Sequence, residues 1–313
     1  MDIRYSQELA RYFDRLRFEQ HMTQEEFVEG IISLRQFRRY LNGTSYLPQE
    51  VINLFSQRLG YRTAILMLEF EAEKIKEART IIDFYNMVAN RDHASALQFM
   101  KDHPLEKVRD EGTKLLYMNA VDHLDLQTGK IKEEEYVKRT LELMGYPEIM
   151  KRKVLTTFEI TILSSLVNVS CFSEHDMIAD RLTLMADNPT LIYSGQNEKM
   201  LTYVLQRLAQ YYGRHKQYQK VIEICDKAIK YNLEWKIFYL LDFIYYFKAL
   251  AHYYLGEQDA YEKSLFQCYT MLQTEGSSVR YERFRKLVEN DWPIHFHEFA
   301  KNYIENRMIK GSL

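Results

Sequence analysis

Apolar residues recur at spacings of three and four along most of the chain, and this periodicity predicts one helix after another. From residue 78 onward no stretch shows the apolar–polar alternation of a half-buried strand. The helices predicted there are joined by short polar turns, and their lengths favour pairing into hairpins. They span residues 77–90, 92–102, 104–124, 132–145, 147–170, 174–187, 197–213, 217–231, 234–255, 258–273, 278–290 and 294–309. The predicted fold class is all-α.

The first 69 residues predict a separate group of short helices. One covers residues 6–20, another opens after Pro48, and a last one covers residues 61–69 before a charged helical connector at 70–76. Between them, Thr23-x-x-Glu26 has the form of a capping box that opens a short helix, and Gly30 marks a turn. A second helix is predicted over residues 33–42 and ends at Gly43. This arrangement is a helix-turn-helix.

The second helix of this motif separates apolar from basic residues. Phe37, Tyr40 and Leu41 share one face and are expected to pack inward. Arg35 and Arg39 point away from that face, and no acidic residue lies between positions 33 and 43, as suits a helix in a DNA major groove. A solvated basic face on an ordinary helix is the alternative. The residues predicted to contact DNA are Gln24, Ser33, Arg35, Gln36, Arg38 and Arg39, with Gln24 at the phosphate backbone.

The stretch at residues 6–43 resembles the amino-terminal, lambda repressor-like domain of Xre-type regulators, in particular the peptide-sensing Rgg/PlcR type. The resemblance rests on Leu16-Arg17, on TQEEF at 23–27, on GIIS at 30–33 and on RRYLNG at 38–43. One departure is Leu41, where the family pattern has an acid. The resemblance implies a DNA-binding domain at residues 1–68, a sensor and dimerisation domain at residues 69–313, a homodimer and a short signalling peptide as ligand.

Two segments of the second domain form a repeat. LAQYY at 208–212 followed by YQKVIEICDKA at 218–228 resembles the tetratricopeptide pattern, and LAHYY at 250–254 followed by YEKSLFQC at 261–268 repeats it. Aligning Ala209 with Ala251 gives a period of 42, which we attribute to an extended helix at 234–255. The prediction is a tetratricopeptide-like α-solenoid of helical hairpins with a concave inner surface.

The first helix of each hairpin is expected to face that concave surface, which suits an extended peptide. Counting from the repeat gives a set of polar and aromatic side chains, to which an amide near the end of an apolar helix is added. The predicted peptide-binding residues are Asn168, Tyr203, Gln206, Gln210, Tyr245, Lys248 and His252. The alternative is that both tyrosines pack in the core, both glutamines face solvent and Asn168 is a satisfied core amide.

Composition limits the possible functions. A net charge of −2 excludes a general polyanion binder, so DNA affinity must come from locally placed arginines, and two half-sites read by a homodimer are expected. Cys171, Cys225 and Cys268 fall in helical patterns without metal spacing and are predicted to be buried thiols. With no signal peptide and no membrane-length apolar run, the predicted location is cytoplasmic, without a membrane partner.

No enzyme signature is present. The 11 glycines form no phosphate-binding loop, and no nucleophile motif occurs. His295, His297 and Glu298 lie close in sequence, but no supporting ligand pattern accompanies them, so neither a metal nor a cofactor is predicted. The sequence therefore predicts a peptide-controlled transcriptional regulator. One alternative is a protein-binding scaffold, whose helix-turn-helix only tethers it or no longer binds DNA, favoured by Leu41 and by the near-neutral amino-terminal domain. Another is a regulator that responds to no ligand.

Overall fold

The computed structural model describes residues 3–188, 192–193 and 198–309. It divides into two compact units, Met1–Ala120 and Val121–Leu313. The described residues form helices α1 to α16, which are Ile3–Glu19, Gln24–Val28, Leu34–Leu41, Gln49–Arg58, Thr63–Ala89, His93–Asp102, Glu111–Gln127, Glu133–Met144, Thr157–Leu166, His175–Asp187, Glu198–Arg214, Tyr218–Trp235, Leu241–Tyr254, Gln258–Glu275, Ser278–Asp291 and Phe296–Ile309. The all-α prediction is confirmed.

In the first unit, the helix-turn-helix is packed around an aromatic cluster. Phe13 of α1, Phe27 of α2, Phe37 of α3 and Phe55 of α4 are all fully buried. Their ring centroids lie 4.4 Å apart for Phe27 and Phe55 and 5.5 Å apart for Phe37 and Phe55. Because each helix contributes one ring, the cluster fixes the orientation of α3 against the other three helices.

The second unit consists of antiparallel hairpins that pack on their neighbours. Helices α11 and α12 form one pair, α13 and α14 the next, and α12 also packs on α13. Ala209, Ala228 and Ala251 are completely or almost completely buried, as their small-residue positions in the repeat predict. A second core joins α13 to α16 around Phe284, Trp292 and Phe296.

The predicted boundaries near residue 70 need correction. The segment 61–69, the connector and the helix 77–90 are one continuous helix, α5. It contains no glycine or proline, and its charged stretch consists largely of glutamate, alanine and lysine, which favour helix strongly. The domain boundary between residues 68 and 69 stays a prediction, and α5 runs through it.

Two other predicted helices are partly wrong. The segment 104–124 begins with a 3₁₀ turn at Leu105–Lys107, and α7 starts only at Glu111. The Glu77 carboxylate accepts hydrogen bonds from the backbone amides of Arg109 and Asp110, which holds this loop outside a helix.

The segment 147–170 contains a 3₁₀ turn at Glu148–Lys151, strand β1 at Leu155–Thr156 and then α9. Strand β1 pairs in parallel with β2, Ile192–Tyr193, so a two-residue pairing exists where no strand was predicted. A capping box of Thr156 and Glu159 opens α9, and this signal was present in the sequence.

Helix α13 begins at Leu241, not at residue 234. The residues that lengthen the repeat lie in α12 and in the connection at 236–240. The expectation that an extended helix at 234–255 accounts for the period of 42 is therefore wrong. Lys236 and Leu240 both have left-handed backbone conformations, with φ of 54° and 56°, which break the helix between them.

The prediction of three buried thiols holds for Cys225 and Cys268 but not for Cys171, which is exposed. Cys171 lies in a turn because α9 ends at Leu166. Within the described part of the chain, none of the helices has the length and apolarity needed to cross a membrane.

Candidate functional site

The capping box positions the first helix of the helix-turn-helix. The Thr23 amide donates to Glu26 Oε2 at 2.7 Å, and the Glu26 amide donates to Thr23 Oγ1 at 3.2 Å. The Thr23 amide and hydroxyl both donate to the Glu26 carboxylate, and these bonds to its ionised form lower the pKa of Glu26. After α2, Gly30 adopts φ of +71°, a left-handed conformation that glycine reaches without a Cβ penalty. The predicted motif is therefore present with its predicted turn.

Helix α3 presents a basic face to solvent. Ser33 caps it by accepting from the Gln36 amide at 3.2 Å, and Phe37 and Tyr40 anchor it in the core. Arg35, Arg38 and Arg39 are exposed on the outer side. Among the described residues no acidic side chain forms an ion pair with these three arginines, so their charge is uncompensated.

The two predicted glutamines are held by neighbours of their own. Gln36 donates to Ser45 Oγ at 3.2 Å and receives a bond from Arg39 at 3.4 Å, which keeps both side chains on the same face. Gln24, at the start of α2, donates to Asp14 Oδ1 of α1 at 3.0 Å. Their roles on DNA stay predictions.

Leu41 and Arg58 complete the support of α3 and α2. Leu41 packs against the aromatic core, and its carbonyl accepts a bond from Gln7 at 3.0 Å. Arg58 of α4 donates to the carbonyls of Glu26 and Glu29 at 2.6 and 2.7 Å, satisfying the carboxyl end of α2. Arg58 was not singled out from the sequence, because its partners are backbone atoms that no side-chain pattern reveals.

In the second unit, a cavity of about 390 Å³ opens between α11, α12 and α13. Of the predicted peptide-binding residues, Gln210 lines it. Tyr218 and Tyr254 stack at its edge, with ring centroids 4.9 Å apart. The other lining residues are Ala209, Gly213, Arg214, Val221, Tyr246, Phe247, Leu250, Ala251 and Asp291.

A polar network joins this cavity to α9. Asn168 Nδ2 donates to the Arg207 carbonyl at 2.9 Å, and Arg214 donates to the Asn168 carbonyl at 2.9 Å. Arg207 also donates to Gln210 Oε1 at 3.2 Å. Within the described residues, Asn168 Oδ1 and Arg207 Nε are buried and have no hydrogen-bond partner. The network thus contains one buried acceptor and one buried donor without a partner.

The remaining predicted residues are less accessible. Tyr203 and Gln206 are only 4% and 8% exposed. Tyr245 is also buried, which raises the pKa of its hydroxyl. The accessible stripe on α11 is formed by Arg207, Gln210 and Arg214, of which Gln210 was predicted; the stripe lies four residues, about one helical turn, beyond the predicted positions 203, 206 and 210.

The two basic side chains predicted on α13 have acidic partners. Lys248 forms an ion pair with Asp226, and His252 Nδ1 lies 2.6 Å from Glu257 Oε2. As for the other five residues, a role in peptide binding stays a prediction. The arginines at 207 and 214 were missed because the concave face was counted from the repeat alone, without the packing of α9 on α11.

The geometry defines an all-α protein in which a helix-turn-helix precedes tetratricopeptide-like hairpins. Solved structures with this fold include Bacillus thuringiensis PlcR in complex with the peptide PapR7 and DNA, with a TM-score of 0.51, 13% identity, and coverage of 88% of this chain and 98% of PlcR. ComR from S. thermophilus, in complex with DNA and its signalling peptide ComS, gives a TM-score of 0.55 at 14% identity, covering 88% of this chain and 96% of ComR.

A third similar structure is the competence regulator ComR from Streptococcus vestibularis with its cognate signalling peptide XIP, with a TM-score of 0.53, 14% identity, and coverage of 91% and 99%. No protein-family model and no curated protein matches the sequence. At these identities the likeness shows a shared fold, which agrees with the fold expected from the Rgg/PlcR resemblance.

Proposed function

We propose that this protein is a cytoplasmic transcriptional regulator that binds double-stranded DNA through α3 and a short peptide through the concave face of its repeat unit. The main evidence for DNA binding is the exposed face of α3, where three arginines without acidic partners lie on a packed helix-turn-helix. Arginine is the residue most often found on guanine edges in the major groove. The PlcR and ComR structures, which contain DNA and signalling peptides, support the same assignment for this fold. The function is regulatory, not enzymatic.

The proposal includes a homodimer. A single eight-residue recognition helix reads few base pairs, and helix-turn-helix proteins gain affinity by placing two such helices on half-sites about one turn of DNA apart. Peptide binding would then act by favouring one of two arrangements of the paired DNA-binding domains.

The DNA function is tested by selecting duplexes from a random library with the full-length protein and measuring the selected sequence by fluorescence anisotropy. Replacing Arg35 or Arg39 by alanine is expected to weaken specific binding by about 1–3 kcal/mol if each contacts a base edge. Arg79→Ala is the matched control, because Arg79 is an exposed arginine of the first unit on α5.

A loss that is equal on selected and scrambled duplexes would place these arginines on phosphates instead of bases. If the library yields no preferred sequence and all variants bind alike, the DNA proposal is wrong. The scaffold alternative would then be the better account of the repeat unit.

The peptide function predicts a specific role for Arg207. Arg207 donates a hydrogen bond to Gln210 Oε1 and so orients the amide that lines the cavity, and Arg207→Gln is therefore expected to weaken binding of a peptide selected from a random short-peptide library at least tenfold. Lys230→Ala, an exposed cation on α12, is the control. Fluorescence anisotropy of the labelled peptide measures the affinity of each variant. Equal affinity of Arg207→Gln and wild type would show that Arg207 is not part of the binding site.

A further inference from the structure

A cluster of two histidines and an aspartate joins α10 to the end of α11, outside the groove described above. His175 and Asp176 begin α10, and His215 directly follows α11. One possible ligand atom from each of the three residues lies within 4.8 Å of the other two. The rings of His175 and His215 have centroids 5.6 Å apart. Among the described residues, these three form the one group of histidine, cysteine and acidic side chains close enough together to hold a metal ion.

The backbone sets the tautomer of both histidines. His175 Nδ1 lies 2.7 Å from the Phe172 carbonyl, and His215 Nδ1 lies 2.9 Å from the Tyr211 carbonyl. A carbonyl oxygen only accepts hydrogen bonds, so each Nδ1 must carry the proton. In the neutral ring the lone pair is then on Nε2. Histidine ligands of metal ions are commonly oriented in this way, by a carbonyl that accepts from the other ring nitrogen.

The spacing of His175 and Asp176 suits a small divalent ion. His175 Nε2 lies 3.4 Å from Asp176 Oδ1. Bonds of about 2.0–2.1 Å at tetrahedral angles would separate two zinc ligands by about 3.4 Å. Tyr211 donates a hydrogen bond to Asp176 Oδ1, which orients the carboxylate and lowers its pKa. This bond provides the second layer of support that metal-binding carboxylates usually have.

We propose that His175, Asp176 and His215 bind a divalent transition-metal ion through two imidazole Nε2 atoms and one carboxylate oxygen. Two nitrogen ligands select zinc and its first-row neighbours over Mg²⁺ and Ca²⁺, which prefer oxygen. Three protein ligands leave a fourth position for water or for an incoming group.

The ion would restrain the end of α11 that carries the groove residues. His215 is the next residue after Arg214, whose guanidinium holds the Asn168 carbonyl. An ion that links His215 to the start of α10 would also hold the last turn of α11 against α10. Metal binding is therefore expected to raise the unfolding temperature of the second unit, because an ion that binds only the folded state stabilises it.

The test uses untagged full-length protein freed of metal with a chelator. Zn²⁺ is titrated in competition with a chromophoric chelator, and Co²⁺ is added separately to record its visible absorption. We expect one ion per chain, and an affinity at least tenfold lower for His175→Gln and for His215→Ala. His295→Ala is the control, since His295 is 80% exposed and lies outside the cluster. Mg²⁺ should not compete.

Circular dichroism of each variant separates loss of a ligand from loss of the fold. His215 is exposed and follows the helix, so its alanine variant is expected to keep the helical signal of the wild type. If wild-type protein binds no zinc, or if both cluster variants bind it as tightly as wild type and His295→Ala, the site does not exist. DNA binding is not part of the readout, so this result is independent of the proposed function.

Discussion

Replacing Phe37 by alanine is expected to lower the free energy of unfolding of the first unit by about 3–5 kcal/mol, because it removes a fully buried ring and leaves a cavity. Phe37 contacts the rings of both Phe27 and Phe55, with centroids 5.6 and 5.5 Å away. Collapse of the neighbours into the space would require α2, α3 and α4 to move together. Since this cluster fixes α3, specific DNA binding should weaken as well.

The positions of the tryptophans allow this loss of stability to be assigned to one unit. Both tryptophans, Trp235 and Trp292, lie in the second unit, whereas circular dichroism detects the helices of both. In urea, Phe37→Ala should produce an early transition in circular dichroism and leave the tryptophan fluorescence transition unchanged. Phe18→Ala, which removes a ring that is 70% exposed, is the control. An unfolding curve identical to that of the control would contradict the central role of Phe37.

A second large loss of stability is expected when a buried ion pair between α13 and α15 is broken. Arg280 donates to both carboxylate oxygens of Asp242, at 2.7 and 2.9 Å, and the Asp242 side chain is only 5% exposed. Replacing Arg280 by methionine leaves a buried carboxylate without its cation. Loss of one partner of such a pair costs about 3–5 kcal/mol.

Tryptophan fluorescence in urea measures this loss directly, because Trp292 lies in the same core as α13 and α15. The double variant with Asp242→Asn and Arg280→Met should recover most of the stability, since it removes the charge that Arg280→Met leaves unpaired. Lys151→Ala is the control, because Lys151 and Glu148 form a pair that is 70% and 73% exposed. Such surface pairs contribute about 0–1 kcal/mol. A change as small as that of Lys151→Ala would show that Asp242 does not depend on Arg280.

The amino-terminal motif could be predicted from sequence because the signals that define it are local. The capping box, the glycine at the turn and the apolar spacing of α3 act over three or four residues. The same holds for the repeat, where small residues at 209, 228 and 251 mark close helix packing. All of these features were placed correctly to within a few residues.

The errors lie where distant residues decide the local conformation. Glu77 holds the loop before α7 although it is 32 residues away from Arg109. The exposed position of Cys171 follows from the end of α9, and the strand at Leu155–Thr156 exists only because it pairs with Ile192–Tyr193. No pattern within a window of ten residues contains these partners.

The sequence by itself determined the fold class, the helix-turn-helix and the basic face of α3, because each depends on periodicity and on neighbouring residues. Only the tertiary structure decided which side chains meet in the second unit. Arg207 and Asn168 are 39 residues apart and His175 and His215 are 40 apart, and each pair is brought together by the packing of α9, α10 and α11. Helix periodicity gives the face on which a side chain lies, but the neighbour across that face depends on how the helices pack.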